Sequence, residues 1–307
     1  MNILNLITEL IPCLFLGYLI GQFDQNISTR VAKPLSEFGI PISLMGLLLN
    51  TGIDWNLLEA AFIGLLAIGI LIVTLIIYQK YRKVFLNSIL LLGSTFGNTG
   101  YFGIPISLSL LPTEALSFSM GFDIGATLLI WTVGPFIIGD ADKKLTILEK
   151  FKVFLGHITK SPASKGLLGF LIISITPWDK PIASILWIPS KIVIFLALLI
   201  VGMRLGVLNP FKKATITKEF QTVKNSLLTK LILFPTLMLG ICLSIGMNNI
   251  MRNALVLQAA APTALSILLI AESSERNQDI ARSLVVWSTL SSLITIPIWS
   301  FVLQIIN

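Results

Sequence analysis

Residues 97–107 read GNTGYFGIPIS, inside a run, 86–111, that is otherwise apolar enough to cross a bilayer. Three glycines, an asparagine and a proline in nine residues are the wrong composition for a regular helix. Proline in a helix interior removes a hydrogen bond and collides with the preceding turn, which costs about 3 kcal/mol. Glycine lets the backbone leave helical geometry or lets another segment approach closely. Backbone groups freed in this way cannot face lipid, so the segment belongs in the protein interior or against a water-filled cavity.

The rest of the chain identifies the solvent. Of 307 residues, 55% are hydrophobic and only 12% charged, with a mean hydropathy of +0.89. A soluble domain carries about 25% charged residues, so the composition is that of an all-α polytopic membrane protein. A bilayer core of about 30 Å asks for roughly 20 apolar residues per helix. Ten spans fit, at 3–22, 31–50, 57–78, 86–111, 117–139, 164–178, 184–206, 227–247, 251–272 and 279–304. The first lacks a basic leading stretch and a small-residue cleavage signature, and reads as a mature transmembrane helix. Cys13 and Cys242 lie in apolar runs, with neither a disulfide framework nor metal-ligand spacing. The single histidine, His157, falls in a basic loop and HExxH is absent. Neither an enzyme nor a cofactor is expected.

Orientation follows from the basic residues. Of the 22 Lys and Arg, 19 fall in or beside the loops that follow odd-numbered spans, Arg204 and Lys230 among them. Lys180 and Arg252 follow even-numbered spans, and Lys191 lies inside span seven. Basic residues are retained on the cytoplasmic side. The odd loops are therefore read as cytoplasmic, with both termini outside an inner (plasma) membrane. The net charge of +7 is then a topology signal, and no nucleic-acid partner is implied.

The longest loop, 140–163, divides the chain into five spans (1–139) and five spans (164–307), so the second half enters the membrane upside down. Inverted repeats are a common build for secondary transporters. Prolines recur in register: GIPIS at 39–43 and WIPS at 187–190, TVGP at 132–135 and TIP at 295–297. Span four is read as broken at Pro105, and span nine as broken at Pro262 within QAAAPTALS. Proline suits the first turn of a helix. Each proline would thus restart a half-helix whose free N–H groups and partial positive charge favour an anion near the midplane.

Around these breaks the candidate substrate-binding residues are Asn98, Thr99, Gly100, Gly103 and Pro105 in span four, with Gln258, Pro262 and Thr263 in span nine. The Asn98 amide can donate to a carboxylate or tie down its own unwound segment. Ser94 and Thr95 read as back-bonding within their helix. An ionisable residue within a span is a functional candidate: Asp123 either titrates as a coupling group, orients the crossover or is a structural carboxyl. Lys191, roughly 10 Å into its helix, could attract an anion or pair with a carboxylate. Glu9, Glu37 and Glu272 lie near span ends and read as interfacial.

GNTGYFGIPIS in span four, FDIGATLLIWTVGP (122–135) in span five, AAPTALS (260–266) in span nine and STLSSLITIP (288–297) in span ten together resemble the auxin efflux carrier family. That family holds plant PIN-type exporters and bacterial malate or malonate permease-like carriers, and the short central loop is similar to the bacterial branch. The resemblance implies a fold like those of sodium/proton antiporters and bile acid symporters. Scaffold helices 1, 2, 6 and 7 would face transport helices 3–5 and 8–10, and the scaffold would form a homodimer. It implies a secondary carrier or uniporter for a small organic anion, working by elevator-type alternating access. Proton coupling is open, and a ligand sensor or an anion channel on the same scaffold are the other readings.

The charge distribution generates a test. A cysteine added at the C-terminus should react with a membrane-impermeant thiol reagent from outside intact cells, while one placed near Lys150 should stay protected. The opposite pattern overturns the topology and the inverted repeat with it.

Overall fold

The structure is a computed structural model, and it describes residues 11–23, 26–77, 85, 87–138, 162–208, 216–273 and 277–306. The start of the first predicted span, with Glu9, and nearly all of the 140–163 loop, with His157, lie outside the described residues, as do the side chains of Lys33 and Glu272. The described chain is helical. Helix α1 is Ile11–Phe23, α2 runs over 27–51, α3 is Trp55–Ile77, and α4 is split into α4a, Ser88–Thr95, and α4b, 99–110. Then come α5, Ala115–Ile138; α6, Pro162–Ser174; α7, Asp179–Leu208; and α8, 216–244. Helix α9 is also split, into α9a, Asn249–Ala259, and α9b, Leu265–Ser273, before α10, Gln278–Ile306. Five of these helices are long and apolar enough to cross a membrane, and three more are apolar but shorter. This is a polytopic membrane protein.

Packing sorts the helices into two groups. Helix α7 lies along α1 and α2, and α6 packs on α2, while α3 packs on α5, α9a on α5, and α8 on α10. The α1–α7 contact has an evident cause. Gly17 and Gly21 on one helix face Gly202 and Gly206 on the other, each pair at the four-residue spacing that lets two helix backbones approach closely in a membrane. A Cβ on any of the four would collide with a backbone carbonyl across the contact: Leu199, Met203, Leu14 and Tyr18 respectively.

The prolines do not all act alike. FGIPIS occurs twice, at 38–43 and 102–107, and folds the same way both times: a π-helical turn (Leu35–Gly39, Thr99–Gly103) runs into an α-helix with proline in its first turn. A third π-turn, Thr229–Leu233, precedes Pro235. In all three the residue before the proline donates its N–H five residues back, to Leu35, Thr99 or Thr229. The wide turn moves the carbonyl four residues back away from the proline ring, with which it would otherwise clash. For Pro235 that carbonyl belongs to Leu231, and the Trp299 indole N–H satisfies it at 2.9 Å. Pro105 therefore does not break span four, contrary to the sequence reading. The break lies at 96–98, and Pro105 sits inside a continuous helical segment 99–110.

Two loop assignments are also corrected. Lys230 is fully buried in α8, which starts eleven residues before the predicted span, and Arg252 is buried in α9a. Arg204, also counted with the odd loops, lies inside α7 and lines a cavity described below, so two residues leave the odd side of the tally and one the even side, and the bias toward odd loops persists.

The glycine seam supplies the test of this packing. Gly202→Ala should destabilise the protein by about 1–3 kcal/mol through overpacking, read as a lower melting midpoint in detergent. Gly69→Ala, whose added methyl meets nothing within 4 Å, should be neutral or stabilising by about 0.5–1 kcal/mol.

Candidate functional site

Helix α4a ends at Thr95 and α9a at Ala259, and the extended segments that follow run antiparallel past each other. Gly97 and Thr263 form the bridge. The Asn98 N–H donates to the Pro262 carbonyl at 2.6 Å, and the Ala264 N–H donates to the Phe96 carbonyl at 3.0 Å. Proline brings no N–H of its own to this crossing, so Pro262 enters it only as an acceptor. Side chains take up other freed groups. Thr263 Oγ1 donates to the Gly93 carbonyl (2.9 Å), and the Thr263 N–H donates to Ser288 Oγ on α10 (3.0 Å). The Asn98 carbonyl accepts from the N–H groups of Phe102 and Gly103 as α4b begins. Ser94 and Thr95 bond back to Leu90, Leu91 and Leu92 carbonyls within α4a.

At the start of α4b the Thr99 hydroxyl donates to Asp123 Oδ1 at 2.5 Å, and Thr127 Oγ1 lies 3.4 Å from the same oxygen. A Cβ on Gly100 would come within 3.2 Å of that carboxyl group, so glycine is what lets Asp123 approach the helix start. An acidic group there faces the positive end of the helix dipole. Asp123 is buried and lies at the start of α4b.

A cavity of about 100 Å³ opens beside the crossing. Asn98, Thr99, Gly100 and Asp123 line it, with Thr127 and Trp131 of α5 and Ala264, Leu265 and Ser266 at the start of α9b. Its far wall comes from the other packing group: Ile40 and Leu44 of α2, Ile200 and Arg204 of α7. Arg204, read from sequence as a cytoplasmic anchor, thus lies at the site. The Asn98 side chain makes no capping hydrogen bond to α4b, and the residue lines the cavity.

The other sequence candidates sit around this cavity without lining it. Gly103 packs against Gln258, whose amide approaches Ser107 Oγ at 3.4 Å. Among the described residues, Gln258 Oε1 has no hydrogen-bond partner. Pro262 and Thr263 hold the crossing, and Pro105 belongs to the turn after it. Lys191 lies earlier on α7 than Ile200 and Arg204, its ammonium 4.2 Å from the centre of the Trp187 ring. Sequence reasoning missed Arg204 and Lys230 because both stand beside basic loops, and a tally of charges by loop absorbs whatever lies at its edges. Helix periodicity carried a usable signal for Lys230: Val223, Leu227, Leu231 and Phe234, also buried, place it on the inward face of α8.

The chain matches an uncharacterized transporter of Methanothermobacter thermautotrophicus at 24% identity over 209 residues, 67% of this chain and 65% of that protein, just under two thirds of its length. The sequence profile of a family described as membrane transport protein matches residues 3–300. With nearly the whole sequence matched, and with two broken helices crossing beside a polar cavity, the chain belongs to that family of membrane transport proteins, the auxin efflux carriers.

Proposed function

We propose that this chain is a secondary carrier for a small organic anion, a carboxylate, moved by elevator-type alternating access. One observation carries the reading: the cavity lies between the two packing groups, with Asn98, Ser266 and Asp123 on one wall and Arg204 on the other. The proposed architecture is ten spans in a 5+5 inverted repeat. Helices α1, α2, α6 and α7 form the scaffold, and α3–α5 with α8–α10 form the moving body. Its support is that α4 and α9 are both broken, at 96–98 and 260–264, and are bonded to each other at those breaks.

The anion's counter-charge comes from Arg204 and from the N-terminal amides of α9b, where Leu265 and Ser266 face the cavity. The start of α4b is already met by Asp123. Of the two half-helix starts, α9b is therefore the one that receives the ligand, with the Asn98 amide donating from across the break. Arg204 recognises a carboxylate well, because its planar guanidinium matches the two oxygens. Asp123 is assigned to the coupling proton, since it lines the cavity on the side that would move. Homodimerisation through the scaffold belongs to the same proposal, in which the exposed apolar residues Leu168, Leu171, Ile172, Ile185 and Ile188 of α6 and α7 face lipid or a second copy.

Counterflow in proteoliposomes with a panel of mono- and dicarboxylates tests this. Arg204→Ala and Asn98→Ala should each weaken binding by about 1.5–3 kcal/mol, roughly ten- to a hundredfold in affinity. Ligand-induced thermal stabilisation gives the same ranking without flux. Wild-type affinity in both purified variants places the site elsewhere. Asp123→Asn should abolish the pH dependence of uptake while leaving the protein folded, and an unchanged pH profile reduces Asp123 to a structural role.

A further inference from the structure

Lys230 is a buried amine that the proposed substrate site leaves unused. It is 0% exposed on the π-turn Thr229–Leu233 of α8. Its Nζ donates to the carbonyl of Ala259, the last residue of α9a, at 2.6 Å, and lies 4.8 Å from the centre of the Phe234 ring. A Cβ on Gly97 would stand 3.0 Å from the same nitrogen, so the amine also touches the segment that leaves α4a. Among the described residues no carboxylate pairs with it. A lone lysine in a membrane-protein interior is unfavourable to fold around, and its presence calls for a role.

The position explains the choice of residue. Two half-helices, α4a and α9a, end here, and helix C-termini carry unpaired carbonyls and partial negative charge. In carriers built from broken helices, such carbonyl ends are where a sodium ion is coordinated. We propose that the Lys230 amine is the tethered cation of this crossing. It stands where a monovalent metal ion would otherwise be held, so the chain binds no sodium there and works without it. The Pro235 π-turn and the Trp299 indole on Leu231 position it by fixing the turn that carries it. This inference takes its significance from the carrier reading.

The test compares melting midpoints of purified protein in sodium chloride and in choline chloride at equal ionic strength, with no substrate present. Wild type and Lys230→Arg should melt alike in the two salts. Lys230→Ala should melt lower in choline chloride and recover saturably with sodium. Sodium at ten times its dissociation constant raises the folded-to-unfolded ratio about elevenfold. Lys230→Gln, which keeps a donor for the Ala259 carbonyl without the charge, should show the same recovery, and it carries the test if the alanine variant does not fold. Sodium-specific stabilisation of the wild type, indifference of the folded neutral variants to the cation, or failure of both to fold in either salt overturns the proposal. A chain that moves no carboxylate can still pass this test, and a working carrier can fail it.

Discussion

Everything at the centre of this protein depends on two backbone hydrogen bonds, Asn98 N–H to Pro262 O and Ala264 N–H to Phe96 O. Unwinding a helix in a bilayer leaves amides and carbonyls that no solvent will satisfy. The chain answers by unwinding two helices at one place and letting each complete the other. Neither break is then viable alone, since restoring helix to one segment strands the partner groups of its neighbour. Helices α4 and α9 are thereby fastened into a single unit, and any movement that carries one carries both.

The prolines separate into two physical roles that look identical in sequence. Pro41, Pro105 and Pro235 each follow a π-turn, where one extra residue absorbs the ring clash and the helix continues. Pro262 lies in extended backbone and uses the missing N–H to advantage, since it has only an acceptor to offer and the crossing asks it for one. What distinguishes the two is tertiary: Pro262 offers its carbonyl to the Asn98 N–H across the crossing, whereas Pro105 sits in a helix that continues past it.

That distinction marks how far the sequence could be read. Helix positions were legible, because long apolar runs between charged loops leave few alternatives, and the break in span nine was found at its proline. The break in span four was placed seven to nine residues late, since proline is a louder signal than GNTG, yet it is Gly97 and Asn98 that leave the helix. Asn98, Thr99 and Asp123 were recognisable as polar residues out of place in an apolar run and Gly100 as a helix-weakening glycine, and all four line the cavity. Arg204 and Lys230 were not, because a basic residue beside a cytoplasmic loop has an ordinary explanation in the inside-positive bias of such loops. For Lys230 the buried stripe of Val223, Leu227, Leu231 and Phe234 gave its inward direction, while its contacts with Gly97 and Ala259, distant in sequence, show what it meets there.

The charges complete the argument. Helix ends that meet inside a membrane carry fixed partial charges, positive where α4b and α9b begin and negative where α4a and α9a stop. Asp123 meets the start of α4b and Lys230 the end of α9a, so the crossing is supplied with one side chain of each sign, both on the packing group that contains the broken helices. Arg204 is different, because α7 belongs to the other group. A ligand bound between Asn98 and Arg204 would therefore touch both bodies at once, and its affinity would depend on their relative position. In the proposed carrier a ligand that contacts both bodies shifts the balance between their arrangements by its differential affinity, and Arg204 on α7 is the residue through which it would do so.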